Sequence, residues 1–164
     1  MGDTQQLTIG KKIPAFDWII DNLYLGDIEA ACSEVAADIG VIINASNSHY
    51  VVNSLKTVHC IDIDDDPSVC INEYFGKVCD IINSNPDTKI LIHCQNGVSR
   101  SVTLVLCYLL TRNMNLRECI LFLKSKRAFQ YTRPNRGFFK QLLIYENNIY
   151  GSNSVIDSDY RRIF

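Results

Sequence analysis

Apolar positions along the chain change their spacing several times, and each change marks an element. Two short apolar clusters flank Asp21-Asn22 within residues 17–26, the pattern of a hairpin or bent strand. From 27 to 39, Ile28, Cys32, Val35 and Ile39 recur at helical spacing, and Gly40 is placed to cap that helix. Residues 41–45 are a β-branched run that reads as a buried strand. After the polar stretch 46–56, a second such strand is expected over 57–63. Pro67, which closes Asp64-Asp65-Asp66-Pro67, has no backbone donor and starts a loop. Ile71, Phe75, Val78 and Ile82 predict a helix ending at the turn cluster 83–87, and 89–93 is a third strand.

The second half is helical. Residues 102–110 are apolar on nearly every side, so this helix should run through the middle of the domain. Asn115 and Glu118 form a capping-box pattern for a helix reaching about residue 125. Phe138, Leu142, Tyr145 and Ile149 define a last amphipathic helix. Residues 1–16 read as a loose polar arm and 151–164 as a polar tail, leaving one domain over 17–150. Strands alternating with helices predict an α/β fold: a mainly parallel central sheet flanked by helices on both faces, with ligands bound beyond the strand C-termini.

Composition narrows the functional classes. A chain of 164 residues carries one sizeable core. A net charge of -2 and a pI near 5.9 disfavour nucleic acid or acidic lipid as a partner, so an anionic substrate must be captured locally. No signal sequence or membrane span is visible, and Gln6 stands where a myristoylation motif on Gly2 wants a hydroxyl residue. The expectation is a cytoplasmic protein, with the nucleus as the other intracellular location. The seven cysteines are odd in number and lack a C-x-x-C pair, which argues against a zinc site or a disulfide framework; most sit in apolar contexts and read as reduced core thiols.

The chemistry concentrates in residues 89–101, Lys-Ile-Leu-Ile-His-Cys-Gln-Asn-Gly-Val-Ser-Arg-Ser, which join the third strand to the central helix. Gly97 can turn consecutive N–H groups into one concavity, and Arg100 closes the loop where the helix begins. The result is an anion cradle with the thiol of Cys94 at its base. A helix N-terminus, a ring of N–H donors and a guanidinium each favour the thiolate, and the same donors would hold phosphate oxygens. Arg100 adds a planar fork for two of those oxygens. Taken singly, Cys94 could be a core thiol and Arg100 a surface residue; their joint spacing with His93, Gly97 and Ser101 weighs against that.

In the form His-Cys-x-x-Gly-x-x-Arg-Ser, residues 93–101 resemble the Cys-x5-Arg signature of cysteine-based protein phosphatases. Ile19 with Leu23-Tyr24-Leu25-Gly26, and Pro134-Asn135 followed by Gly137-Phe138, extend the resemblance to the small dual-specificity protein phosphatases. That resemblance implies a protein-tyrosine-phosphatase-like fold, with Cys94 as nucleophile and phosphate bound by Gln95, Asn96, Gly97, Val98, Ser99 and Arg100. Ser101 would donate to the sulfur as it leaves the phosphoenzyme, His93 would orient the loop, and Asn135 would support it. Among Asp62, Asp64, Asp65 and Asp66, the family's Ile-x-Ile-x-Asp pattern ten residues before a Phe selects Asp65 as general acid, with Asp66 the alternative. Alone, such a cluster is more often a solvated loop or weak cation site. The implied mechanism uses no metal and no cofactor.

The substrate implied is a phosphoprotein, since Gln95, Asn96 and Val98 lack the Lys common in relatives acting on inositol lipids. The chain looks too short for the recognition loop of strictly tyrosine-specific relatives, so phosphoserine and phosphothreonine are expected beside phosphotyrosine. About two extra residues before Asn135 leave open which of Arg127, Arg133 and Arg136 faces the substrate. Two rival readings are a phosphopeptide-binding pseudophosphatase and an RNA 5′-phosphatase on the same fold. The oligomeric state is not legible.

Overall fold

The computed structural model describes residues 15–164; positions 1–14 of the expected N-terminal arm lie outside them. Ala15 already docks against the sheet, and Phe16 begins it. Ala15 N–H donates to Asp27 Oδ2 at 3.0 Å and its carbonyl accepts from Asp27 N–H, while Phe16 opens the first strand.

Strands β1 (Phe16–Ile20) and β2 (Leu23–Asp27) form the expected hairpin, turning at Asp21 with φ 47°. Strands β3 (Val41–Asn44), β4 (Thr57–Cys60) and β5 (Ile90–Cys94) complete a five-stranded sheet in the order β1-β2-β5-β3-β4, parallel except for the hairpin. β5 is buried along its whole length and paired on both sides, and its side chains alternate between two unequal faces. Ile90 and Ile92 join the large core beneath the long helices, whereas Leu91 packs with Ile42, Ala31, Ala36 and Ile39 in a small one.

The small face corrects one expectation. The helix expected over 27–39 is only α1 (Ile28–Ala31) followed by a 3-10 turn, Glu34–Ala36. Asp27 caps α1 through Ala30 N–H at 2.8 Å, but Ser33 is extended and its hydroxyl donates to Ala30 O, which ends the helix. Cys32 is therefore exposed and Val35 half exposed. Gly40 is not a helix cap: its N–H donates to Lys89 O at 3.0 Å, and a Cβ there would meet Thr88 Cγ2 at 2.5 Å. The second strand also stops early, at Cys60, although Ile61 and Ile63 stay buried as the chain leaves the sheet.

On the large face, a 3-10 turn, Ile71–Tyr74, leads into α2 (Phe75–Asn83). Every residue of α3 (Arg100–Leu110) is buried, so it runs through the domain centre as its all-round apolar sequence predicts. The capping box of Asn115 and Glu118 opens α4 (Leu116–Lys126), and α5 (Arg136–Tyr150) ends at Gly151 in the left-handed conformation, φ 73°.

Residues 151–164 are not a loose tail. They fold back through a 3-10 turn, Asp157–Asp159, into α6 (Tyr160–Ile163), with Val155 buried and the Tyr160 and Phe164 rings against Phe139. The reason is a buried acceptor: Glu146 takes hydrogen bonds from Leu116 N–H and from the N–H and hydroxyl of Ser154. No helix among the described residues is long and apolar enough to cross a membrane.

Candidate active site

β5 delivers Cys94 to the C-terminal edge of the sheet, where Gly26 and Asp27 of β2 lie opposite His93 and Cys94. The chain then loops through 95–99 and enters α3 at Arg100. Gly97 is left-handed, φ 66°, and a Cβ on it would come 2.7 Å from Gly26 O, so the loop requires glycine here on two grounds.

Four of the loop's carbonyls, those of Gln95, Gly97, Val98 and Ser99, are engaged by neighbouring groups. Gln95 O accepts from Ile28 N–H, Gly97 O from the Arg127 guanidinium at 2.9 Å, Val98 O from Arg133 N–H at 3.0 Å, and Ser99 O from Thr103 N–H at 2.9 Å. Among the described residues, no protein group takes the N–H groups of 95–99. With four carbonyls engaged and, among the described residues, no protein acceptor on its N–H groups, the loop has donors to offer an anion. Arg100, buried, donates to Ile63 O at 3.0 Å, while its Nε is a buried donor with no partner among the described residues. Cys94 Sγ lies 3.1 Å from Ser101 Oγ, at the base of the loop.

His93 is wholly buried on the opposite side of the strand. Its Nε2 is 2.5 Å from the Tyr50 hydroxyl and its Nδ1 3.3 Å from Cys94 O. An Nδ1–H donating to the carbonyl and a Tyr50 hydroxyl donating to Nε2 satisfy both contacts with a neutral ring. Burial, with Arg100 nearby, pushes the imidazole down to about 4, partly opposed by the Cys94 carbonyl and Asp27. A neutral His93 is placed to bridge Tyr50 and the Cys94 carbonyl and is no proton carrier near pH 7.

Above the cradle is a cavity of about 590 Å³, lined by Cys94, Asn96, Val98, Ser99 and Arg100 below and by Asp65, Arg133, Asn135, Arg136 and Tyr160 above. Of the four candidate aspartates, only Asp65 reaches it. Its Oδ1 accepts from Ser99 Oγ at 2.6 Å and from Asn135 Nδ2 at 2.8 Å, and Asn135 N–H donates to Ser99 Oγ at 2.9 Å. Asp66 turns instead to Ser68, whose hydroxyl and N–H hold its carboxyl below the usual range. Asp62 lies beside His49, and Asp64 accepts from Asn47. The aspartate loop is held against α5 at Gly137, where a Cβ would collide with Pro67 O at 1.9 Å.

Asn135 ties together the loop, the aspartate and the last long helix. Its side-chain amide holds Asp65, its side-chain oxygen caps α5 through Phe138 N–H at 2.9 Å, and its backbone holds Ser99. The three arginines also separate. Arg133 and Arg136 line the cavity, whereas Arg127 is buried under the loop with Nε 3.3 Å from Asp17 Oδ2, near enough for charge attraction but misaligned for a hydrogen bond. The sequence alone gives Tyr50 and Tyr160 no role, and offers Arg127 only as one of three arginines that could face the substrate, whereas the structure places it beneath the loop. Each acts across a long sequence separation, so no local pattern marks it. Cys79, Cys94, Cys107 and Cys119 are buried and Cys32, Cys60 and Cys70 exposed, and all are free thiols. Burial pushes Cys119 up to about 12, and raises Cys107 too, which leaves both as inert core groups.

Comparison with known proteins agrees with this geometry. The family model described as dual specificity phosphatase, catalytic domain, matches residues 23–148. Dual specificity protein phosphatase 18 of Bos taurus is 34% identical over 153 residues, spanning 88% of this chain and 79% of the relative. Dual specificity protein phosphatase 13B of Homo sapiens is 33% identical over 149 residues, spanning 81% and 73%. The crystal structure of human DUSP28 superposes with a TM-score of 0.76 at 23% identity, covering 84% of this chain and 97% of that one, which establishes likeness of fold.

Proposed function

The chain belongs to the dual specificity phosphatase family, whose members are phosphoric monoester hydrolases, and from that premise we propose that it hydrolyses phosphotyrosine and phosphoserine or phosphothreonine in proteins through a cysteinyl-phosphate. The observation that carries this reading is the placement of Cys94, Arg100 and Asp65 on one cavity, above a loop whose N–H donors no group among the described residues occupies.

Three phosphate oxygens sit among the N–H groups of Gln95, Asn96, Gly97, Val98, Ser99 and Arg100 and the Arg100 guanidinium, whose orphaned Nε gains a partner. The Cys94 thiolate attacks phosphorus, forming the S–P bond as the ester P–O bond breaks. Asp65 gives its proton to the leaving oxygen. Water then attacks the phosphoenzyme, Asp65 takes the water's proton, and the sulfur leaves with Ser101 Oγ, 3.1 Å away, donating to it. Arg133 and Arg136 at the rim offer positive charge to the peptide around the phosphate.

The test is rapid acid quench after mixing with a radiolabelled phosphopeptide. Label should be trapped on wild-type protein in burst amounts and be absent from Cys94→Ser, which should still bind the peptide. Binding without trapped label or turnover would make the chain a phosphopeptide-binding module. Preference for 5′-triphosphorylated RNA over phosphopeptide in competition would reassign the substrate.

A further inference from the structure

Residues 151–164 lie beyond the stretch that the family model matches, 23–148, yet one of them reaches the reaction cavity. Tyr160 lines it together with Cys94 and Asp65. Among the described lining residues it is the sole aromatic, and Val98 the sole aliphatic, in an otherwise polar site.

The segment carrying Tyr160 is fastened at several points. Glu146, wholly buried, accepts from Ser154 N–H at 3.1 Å and from its hydroxyl at 2.5 Å. Val155 fills the core, and Asp157 takes a paired hydrogen bond from Arg136, at 3.1 and 2.7 Å. The Tyr160 ring packs on Phe139 and Phe164, with centroids 5.5 and 5.3 Å away. Its hydroxyl donates to Pro134 O at 2.8 Å, one residue before the asparagine that holds Asp65. A ring packed against two tilted aromatics and held at its tip by a carbonyl is a preorganised surface, and substrate contact with it costs little ordering.

We propose that Tyr160 is a specificity-determining residue, an aromatic wall that makes this chain favour phosphotyrosine over phosphothreonine in otherwise identical peptides. The proposal rests on the phosphatase reading of the Cys94 cradle. With the phosphate seated on the cradle, a phosphotyrosine fills the space above with a rigid ring, which meets the Tyr160 ring and loses apolar surface to it. A phosphothreonine brings a methyl group and its own backbone to that space, and has no ring for the wall to meet. The preference therefore comes from contacts with the leaving group, separate from the phosphate contacts that all substrates share.

Steady-state hydrolysis of two peptides that differ only in phosphotyrosine or phosphothreonine tests this, with the full chain and with Tyr160→Ala and Tyr160→Phe. Tyr160→Ala should lower the phosphotyrosine-to-phosphothreonine ratio of kcat/KM by about three- to tenfold, chiefly through KM, the scale of one aromatic contact. Tyr160→Phe should keep the ratio. Inhibition by inorganic phosphate should match in all three proteins, reporting an intact cradle. Equal losses on both peptides in Tyr160→Ala would overturn the proposal, as would an unchanged ratio. Loss of the ratio in Tyr160→Phe would assign the effect to the Pro134 hydrogen bond and overturn the role of the ring. If wild-type protein turns over neither peptide, the phosphatase reading fails. The peptide Kd ratio in Cys94→Ser, with and without Tyr160→Ala, then decides the Tyr160 proposal separately.

Discussion

The floor and the wall of the reaction cavity are held in different ways. Cys94, Ser99, Arg100 and Ser101 fall within one short run of chain, all buried or nearly so, between a strand paired on both sides and a helix buried on every face. Asp65, Arg133, Asn135, Arg136 and Tyr160 come from three distant segments, none of them fully buried, joined by side-chain hydrogen bonds. The floor, proposed as the anion site, has its geometry dictated by the core. The wall is assembled on top of it, where the leaving group and the rest of the peptide must fit. On the proposed mechanism, shared chemistry sits where packing is tightest, and substrate choice where it is loosest.

The sharpest way to separate the two is to remove the proposed proton donor, Asp65, from the wall and leave the floor intact. Asp65→Asn keeps an oxygen acceptor for Ser99 and Asn135. It should lower kcat/KM on alkyl phosphates by about 10²- to 10⁴-fold, the usual contribution of general acid catalysis. Substrates whose leaving group departs without a proton should lose far less. Comparing a phosphothreonine peptide with an activated aryl phosphate checks this, and equal losses on both would show that Asp65 serves only to position Ser99.

The floor has its own outside support in Arg127, whose guanidinium is buried between Gly97 O and Asp17. Arg127→Met removes a charged hydrogen bond and leaves the half-buried Asp17 without its cation. Burial already raises the Asp17 carboxyl, and Arg127 is the group that opposes this. The expected loss is about 2–3 kcal/mol of stability, below the full value for a buried pair because Asp17 remains partly solvated. Phosphate affinity should fall with it, as the loop carbonyl is released. Urea denaturation with phosphate titration reads both, and unchanged values would show that β5 and α3 hold the loop unaided.

Sequence reading is good at the floor and poor at the wall for the same physical reason. The cradle is contiguous: strand period, glycine and helix start announce themselves within residues 89–101, and the all-apolar 102–110 predicts the central helix. Asp65 was legible only through the family's spacing, and the structure adds that it alone among its neighbours reaches the cavity. The short α1 escaped because Ile28, Cys32, Val35 and Ile39 fit a helical period, while a single hydroxyl, Ser33 to Ala30 O, ended the helix. The C-terminal segment escaped because Val155, Tyr160 and Phe164 are isolated apolar residues in polar surroundings. Their docking depends on Glu146 and Phe139, which lie on another element.

The smallest expected effect asks whether the floor, unlike the wall, reports pH through stability. His93 faces Tyr50, Asp27 and Arg100, and burial holds it near 4, against 6.5 for an ordinary imidazole. Between those values the unfolded chain binds a proton that the folded chain refuses. This contribution is therefore fully present above pH 6.5 and is lost as pH falls toward 4, amounting to about 2 kcal/mol between pH 7 and 5. The exposed Arg136–Asp157 pair of the wall has no such leverage in this window, since the guanidinium holds the Asp157 carboxyl below its usual range. Urea denaturation of wild type and His93→Asn at pH 7, 6 and 5 checks the assignment. The wild type should lose the extra stability on acidification and the variant should not, whatever its stability at pH 7. Parallel losses in both proteins would place the acid sensitivity in some other group and leave His93 a purely steric support of the loop.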